Sequence, residues 1–158
     1  MTASVHSPDS PRRRATRRGQ AMVEFAMVAV VAIFVLLVAI QYAMIGQAAL
    51  ALSQAAFQGA RYASVYNSAS SSDVQTYLFG SANSQGVASP TISKGGGKYM
   101  TFSMNPTTTP RTFGQTVVVN LSFDVCGSGM LVLGKCGGTF FGIAFPKTLT
   151  ASETAMSE

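Results

Sequence analysis

From Ala21 to Ile45 the chain is apolar at every position except Glu24 and Gln41, and Phe25 to Ile40 is an unbroken apolar run of sixteen residues. A hydrocarbon core of about 30 Å takes roughly 20 helical residues to cross, so this stretch is long enough to span a bilayer. Backbone groups in lipid must bond within their own segment, which predicts a helix in spite of the many β-branched valines. No proline occurs between Gln47 and Tyr66, and this part is rich in Ala, Leu and Gln. Leu52, Ala56, Ala60 and Ala63 recur at helical spacing, and Ala49, Phe57 and Val65 join them in a weakly apolar face of mostly small side chains. Gln47, Gln54, Gln58 and Arg61 take the other sides. The pattern predicts one helix from about residue 21 to about residue 66, roughly 68 Å long at 1.5 Å per residue. Its first half would lie in lipid and its second half would support a soluble domain. Asn67, Ser68 and the run Ser70-Ser71-Ser72-Asp73 end it, because short polar side chains compete for the backbone bonds.

Beyond this point the pattern changes. Residues 67–97 are rich in Ser, Gly, Asn and Gln around one apolar cluster, Val74, Tyr77, Leu78 and Phe79, and Asp73–Phe79 reads as a short helix. Gly95-Gly96-Gly97-Lys98 reads as a turn or hairpin tip, since Tyr99 stands where a phosphate-binding loop needs a hydroxyl residue. A period of two follows. Met100, Phe102 and Met104 alternate with Tyr99, Thr101 and Ser103. Over Thr116–Val125, the residues Val117, Val119, Leu121, Phe123 and Val125 share one face. Pro106 and Pro110 mark the connecting loop, Thr139–Phe145 is a third candidate strand, and Leu149–Met156 is either a final edge strand or a frayed tail. Three or four antiparallel strands would cover the outer half of the helix, and its small residues would let the sheet come close. The predicted fold class is therefore α+β, with one long N-terminal transmembrane helix packed by its outer half against a small antiparallel sheet. The expected parts are a leader at 1–19, a membrane helix at 20–46, its extension at 47–66 and an extracytoplasmic β-rich domain at 67–158.

The formal charge of +5 is unevenly placed. Arg12, Arg13, Arg14, Arg17 and Arg18 precede the apolar run, so residues 1–19 carry +4 and the rest only +1. The folded part therefore lacks the basic stripe that nucleic-acid binding requires. A basic head beside a first span keeps that end cytoplasmic, which sends the C-terminal region across the membrane.

In such a compartment a disulfide between Cys126 and Cys136 is chemically permitted, and two free buried thiols are the other reading. Closing this 11-residue loop would restrict the unfolded chain by about 3 kcal/mol. Two thiols without a nearby histidine make no zinc site. The segment between them, Gly127 to Lys135, has an apolar centre that is either a partner-facing tip or folds back on the core. Catalytic machinery is not in view. The single histidine, His6, lies in the leader, and Asp73, Asp124, Glu153 and Glu158 form no local acid–base pair. No cofactor, metal or catalytic residue is assigned.

Gly19 and Glu24 are the residues whose placement asks for a function. An ionised carboxylate costs about 3 kcal/mol at mid-membrane and less near the interface, so Glu24 can be a tolerated interfacial charge. The functional reading is cleavage after Gly19. Gln20 then becomes the first residue and Glu24 the fifth, and the carboxylate neutralises the new α-amine of its own or a neighbouring chain, fixing the stagger of packed helices. Two rival fates remain open: an anchor that is never cut, and a signal peptide cut after Ala49-Leu50-Ala51.

The stretch Arg17-Arg18-Gly19-Gln20-Ala21-Met22-Val23-Glu24-Phe25-Ala26 resembles the N-terminal signature of TadE-like minor pilins, or pseudopilins, of the tight-adherence (Flp-type) pilus system. The resemblance covers about residues 17–60. The tail from Leu149-Thr150-Ala151-Ser152 to Glu158 is also similar to family tails, although Ala155-Met156-Ser157-Glu158 stands where an arginine is usual. Phe25 follows Glu24 where the major pilins have tyrosine, as suits a minor subunit. The resemblance implies a prepilin peptidase cutting between Gly19 and Gln20, and Glu24 with Phe25 acting in assembly. It further implies a single-pass protein of the bacterial inner membrane whose partners are major and minor pilins, an assembly platform and the lipid bilayer. The implied role is structural: assembly, priming or capping of a type IV-like pilus. The alternative is a membrane-anchored adhesion or binding module outside any filament.

Overall fold

The structure, a computed structural model, describes residues 11–81, 84–93, 98–107, 109–129, 139–140, 143–144 and 146–158. The chain divides into two compact units, Met1–Ile40 and Gln41–Glu158.

Helix α1, Pro11–Val65, contributes to both units. It begins about ten residues before the predicted start at 21. Pro11 suits a first helical turn, and the Arg and Ala residues after it are strong helix formers. Gly19 does not interrupt the helix, because it has an ordinary negative φ. In the first unit the described side chains from Gly19 to Ile40 are exposed, apart from half-buried Ala29, Phe34 and Val38. A helix this apolar, with most of its described side chains exposed, needs lipid or other helices around it.

In the second unit α1 packs by a stripe of small residues. Ile45, Ala48, Leu52, Ala55, Ala56, Ala60 and Ala63 are buried. Three residues assigned to this face by spacing lie elsewhere: Ala49 is exposed, Phe57 is 58% exposed and Val65 is 50% exposed. At about 100° per residue, Phe57 sits roughly 140° around the helix from Leu52, and Val65 is nearly opposite Ala63. Gly59 fills the gap in the stripe. A Cβ there would lie 3.0 Å from Leu78 Cδ1 and 3.4 Å from Val119 Cγ1, so the backbone itself touches the neighbouring layers.

Helix α2, Ser71–Phe79, matches the predicted short helix and buries Val74, Leu78 and Phe79. Its start is set by a capping box, in which Ser70 Oγ accepts from Asp73 N while Asp73 Oδ2 accepts from Ser70 N at 2.8 Å. Gly80 at φ 82° closes it and donates to Thr76 O. Strands β1 (Gly80–Ser81) and β2 (Ser84–Gln85) pair antiparallel, and the chain then runs back along the helix end. Val87 N donates to Tyr77 O and Ala88 N to Leu78 O, satisfying terminal carbonyls. Helix α3, Pro90–Ser93, adds the buried Ile92.

The sheet has the order β3-β4-β7, all antiparallel, formed by Met100–Asn105, Thr116–Asp124 and Thr148–Met156. Val117, Val119, Leu121 and Phe123 point into the core as their alternation requires, and Val125 follows them in the turn. The final segment is thus a paired edge strand and not a frayed tail. The third candidate strand is instead a short antiparallel pair, β5 (Thr139–Phe140) with β6 (Ile143–Ala144). The Gly95–Gly97 turn and the apolar centre of the Gly127–Lys135 segment, Met130 to Leu133, lie outside the described residues.

Candidate functional site

In the first unit, Gly19, Gln20, Glu24 and Phe25 all lie on α1 and are exposed, Phe25 at 74%. Residues four apart on a helix face each other. The Gln20 side-chain amide accordingly donates from Nε2 to Glu24 Oε1 at 3.2 Å. Position 20 and the carboxylate of position 24 therefore share one face, one turn apart. Nothing lies within 4 Å of a Cβ built on Gly19, so its surroundings offer no packing reason for glycine.

In the second unit, the carboxyl end of α1 is held by a residue that sequence reasoning did not find. Arg111 is only 4% exposed and has no carboxylate partner among the described residues. Its Nη1 donates to Ala63 O at 2.6 Å and Tyr66 O at 3.3 Å, and its Nη2 to Ala69 O at 2.6 Å and Met104 Sδ at 3.4 Å. The final carbonyls of a helix carry a partial negative charge, so a planar fork of N–H donors is suited to them. Burial lowers the guanidinium's pKa from its ordinary range, yet arginine remains charged in proteins. The Arg111 N–H also donates to Asn67 O at 3.0 Å.

The end of β7 is fastened to the same place. Ser157, 2% exposed, donates from Oγ to Thr112 O and accepts from Gln115 N at 3.0 Å. Its backbone exchanges bonds with Gly114 and Gln115, while Glu158 N donates to Ser64 O at 3.1 Å. Asn67 Nδ2 reaches Glu158 O at 2.8 Å. The loop that Pro106 and Pro110 mark thus ties the helix to the last strand. Ser157 and Arg111 carried no periodicity that could have singled them out.

On the outer side of this unit, Tyr62 stacks on Tyr77 with centroids 4.2 Å apart and planes 14° apart, and Tyr66 leans on Tyr62 at 4.7 Å. The Tyr62/Tyr77 pair forms a ridge shared by two open grooves. One is lined by Gln54, Phe57, Gln58, Arg61, Val65 and Tyr66, the other by Asp73, Thr76, Gln85 and Val87.

Cys126 lies half-buried in the turn after β4, and no described cysteine is free. Asp124 Oδ1 accepts from Cys126 N and Gly127 N, each at 3.0 Å, which turns the chain at the strand's end. Cys136 lies outside the described residues. Among the described residues no group of three or more His, Cys, Asp or Glu is placed to hold a metal ion.

Among the described residues one helix, within Gly19–Val65, is long and apolar enough to cross a membrane. Comparison with curated proteins and with solved structures gave no match. Comparison with protein families gave one at residues 19–61, described as TadE-like protein. The matched segment begins at Gly19 and ends at Arg61, within the one helix that holds Gln20 and Glu24 on a common face. Over residues 19–61 the chain carries a TadE-like family domain.

Proposed function

We propose that this chain is a minor pilin of a tight-adherence, type IV-like pilus, anchored in the bacterial inner membrane with residues 1–19 in the cytoplasm. A prepilin peptidase cuts between Gly19 and Gln20, and the freed helix then packs beside other pilins on the assembly platform. Its work is structural: it primes, seeds or caps the filament. The observation that carries the reading is the placement of Glu24. It is the one charged residue between Gly19 and Ile40, where nearly every other side chain is apolar and exposed, and it lies a single turn from the amine that cleavage would create. An ion pair there removes much of the cost of a charge in an apolar bundle. The second unit, on the extracytoplasmic side, presents the surface that other subunits meet. A disulfide between Cys126 and Cys136 fits that compartment, and intact mass with and without reductant tests it.

The direct test is genetic. In a strain that makes such pili, removal of this chain abolishes or sharply reduces sheared filaments, and re-expression restores them. Unchanged filament yield without the chain would contradict the reading and favour an anchored module outside the filament.

A further inference from the structure

The tyrosine ridge of the second unit carries opposite charges on its two flanks. Arg61, one residue from Tyr62, lines one groove, and its guanidinium has no carboxylate partner among the described residues. Asp73, one helical turn before Tyr77, lines the other. Asp73 Oδ2 is engaged by Ser70 N and Ser70 Oγ, at 2.8 and 2.7 Å, which leaves Oδ1 with no described partner. Between and beside these charges lie large apolar groups that the unit does not cover, Phe57 at 58% and Val65 at 50% exposure. An exposed aromatic cluster rimmed by polar groups marks a contact surface. This one has a cation on one side of its ridge and an anion on the other. A surface of that kind complements itself, since a two-fold contact repeats every pairing twice.

We propose that two copies of this chain associate across the Tyr62–Tyr77 ridge, the Arg61 of each facing the Asp73 of the other, with Phe57 enclosed between them. The contact goes beyond the pilin role and does not depend on it, because two anchored copies in one membrane can form it whether or not they enter a filament. Exposed ion pairs contribute little singly, so the apolar ridge supplies the attraction and the charges set the pairing.

The test places a photo-reactive benzoyl-phenylalanine at Phe57 in the full chain and irradiates intact membranes. The expected product is an adduct of twice the chain mass. In Arg61→Asp chains, and separately in Asp73→Arg chains, its yield falls about tenfold, because both symmetric pairs become repulsive. Co-expression of the two variants restores it, since a mixed pair regains attraction at both contacts. Arg61→Lys retains most of the yield. If the Asp73→Arg chain does not accumulate for want of its helix cap, the contrast between Arg61→Asp and Arg61→Lys still decides. Absence of the adduct in the unaltered chain, an adduct only with a different protein, or a yield indifferent to Arg61→Asp overturns the proposal.

Discussion

The amide of Gln20 and the carboxylate of Glu24 stand one helical turn apart on α1, joined by a hydrogen bond of 3.2 Å. The geometry separates two roles for position 20, the side-chain amide and the backbone nitrogen that cleavage would release as an amine. If the amine is what Glu24 neutralises, the amide is dispensable. Gln20→Ala should therefore leave filament yield within about twofold, whereas Glu24→Ala, made and processed at normal levels, should lower it at least about tenfold, the loss expected when a charge in an apolar bundle goes unpaired. Equal effects of the two substitutions on sheared filaments would contradict this division.

Arg111 should be the most sensitive residue of the second unit. Arg111→Met deletes charged donors to the carbonyls of Ala63, Tyr66 and Ala69 and leaves those carbonyls buried. Hydrogen bonds to charged groups contribute about 1.5–3 kcal/mol each in stability measurements, so a loss of at least about 4 kcal/mol is expected for the three. Arg111→Lys should recover only part of it, because an ammonium is a point charge and cannot reach both ends of the fork. Denaturant unfolding of the detergent-solubilised full chain reads the difference.

Gly86 is required by close approach and not by a positive φ. A Cβ there would collide with Leu78 O and Gly80 N, which are fixed backbone atoms of the α2 end and β1. Gly86→Ala must displace that segment, with an expected cost of about 2 kcal/mol, in the range of overpacked sites. Gly114→Ala is a useful contrast. No atom crowds that site, and only its φ of 78° opposes the change, for about 1 kcal/mol.

The start of α2 should respond to acid. Hydrogen bonds from the Ser70 hydroxyl and then the Ser70 N–H hold the Asp73 carboxyl below its ordinary value of 3.8. A carboxylate whose folded pKa is depressed contributes its stability above the unfolded value, and that contribution is lost as pH falls through the folded one. The cap is therefore intact at neutral pH and weakens only below about pH 4. Ser70→Ala should cost about 1 kcal/mol at pH 7, and this difference should shrink as the pH is lowered through that range. Unfolding curves of the two proteins at several pH values check both statements.

The legible parts of this chain were those with a strong period. The apolar run specified a helix, and the alternation from Thr116 to Val125 specified the central strand with its correct inner face. The outer half of α1 was read less well, because a stripe of alanines and one glycine has little contrast with its neighbours. Larger residues at roughly helical spacing, Phe57 and Val65, were drawn onto a face they do not occupy. The last strand was undecided for a similar reason, since Thr148–Met156 alternates small and polar residues and owes its order to pairing with β4. Arg111 was illegible in principle. It sits in a loop without periodicity, and its partners are carbonyls of another element, which leave no mark in the sequence. Glu24 stands out in the sequence because a carboxylate conflicts with an apolar run, and residues in conflict with local rules are where function is expected.

The mass of the mature chain bears most directly on the central claim. Protein recovered from its own membranes should begin at Gln20, having lost residues 1–19 with all five leader arginines. Gly19→Val should retain them, although the site itself has room for the larger side chain. A native chain that keeps its leader, or one that begins at Leu52, would contradict the account.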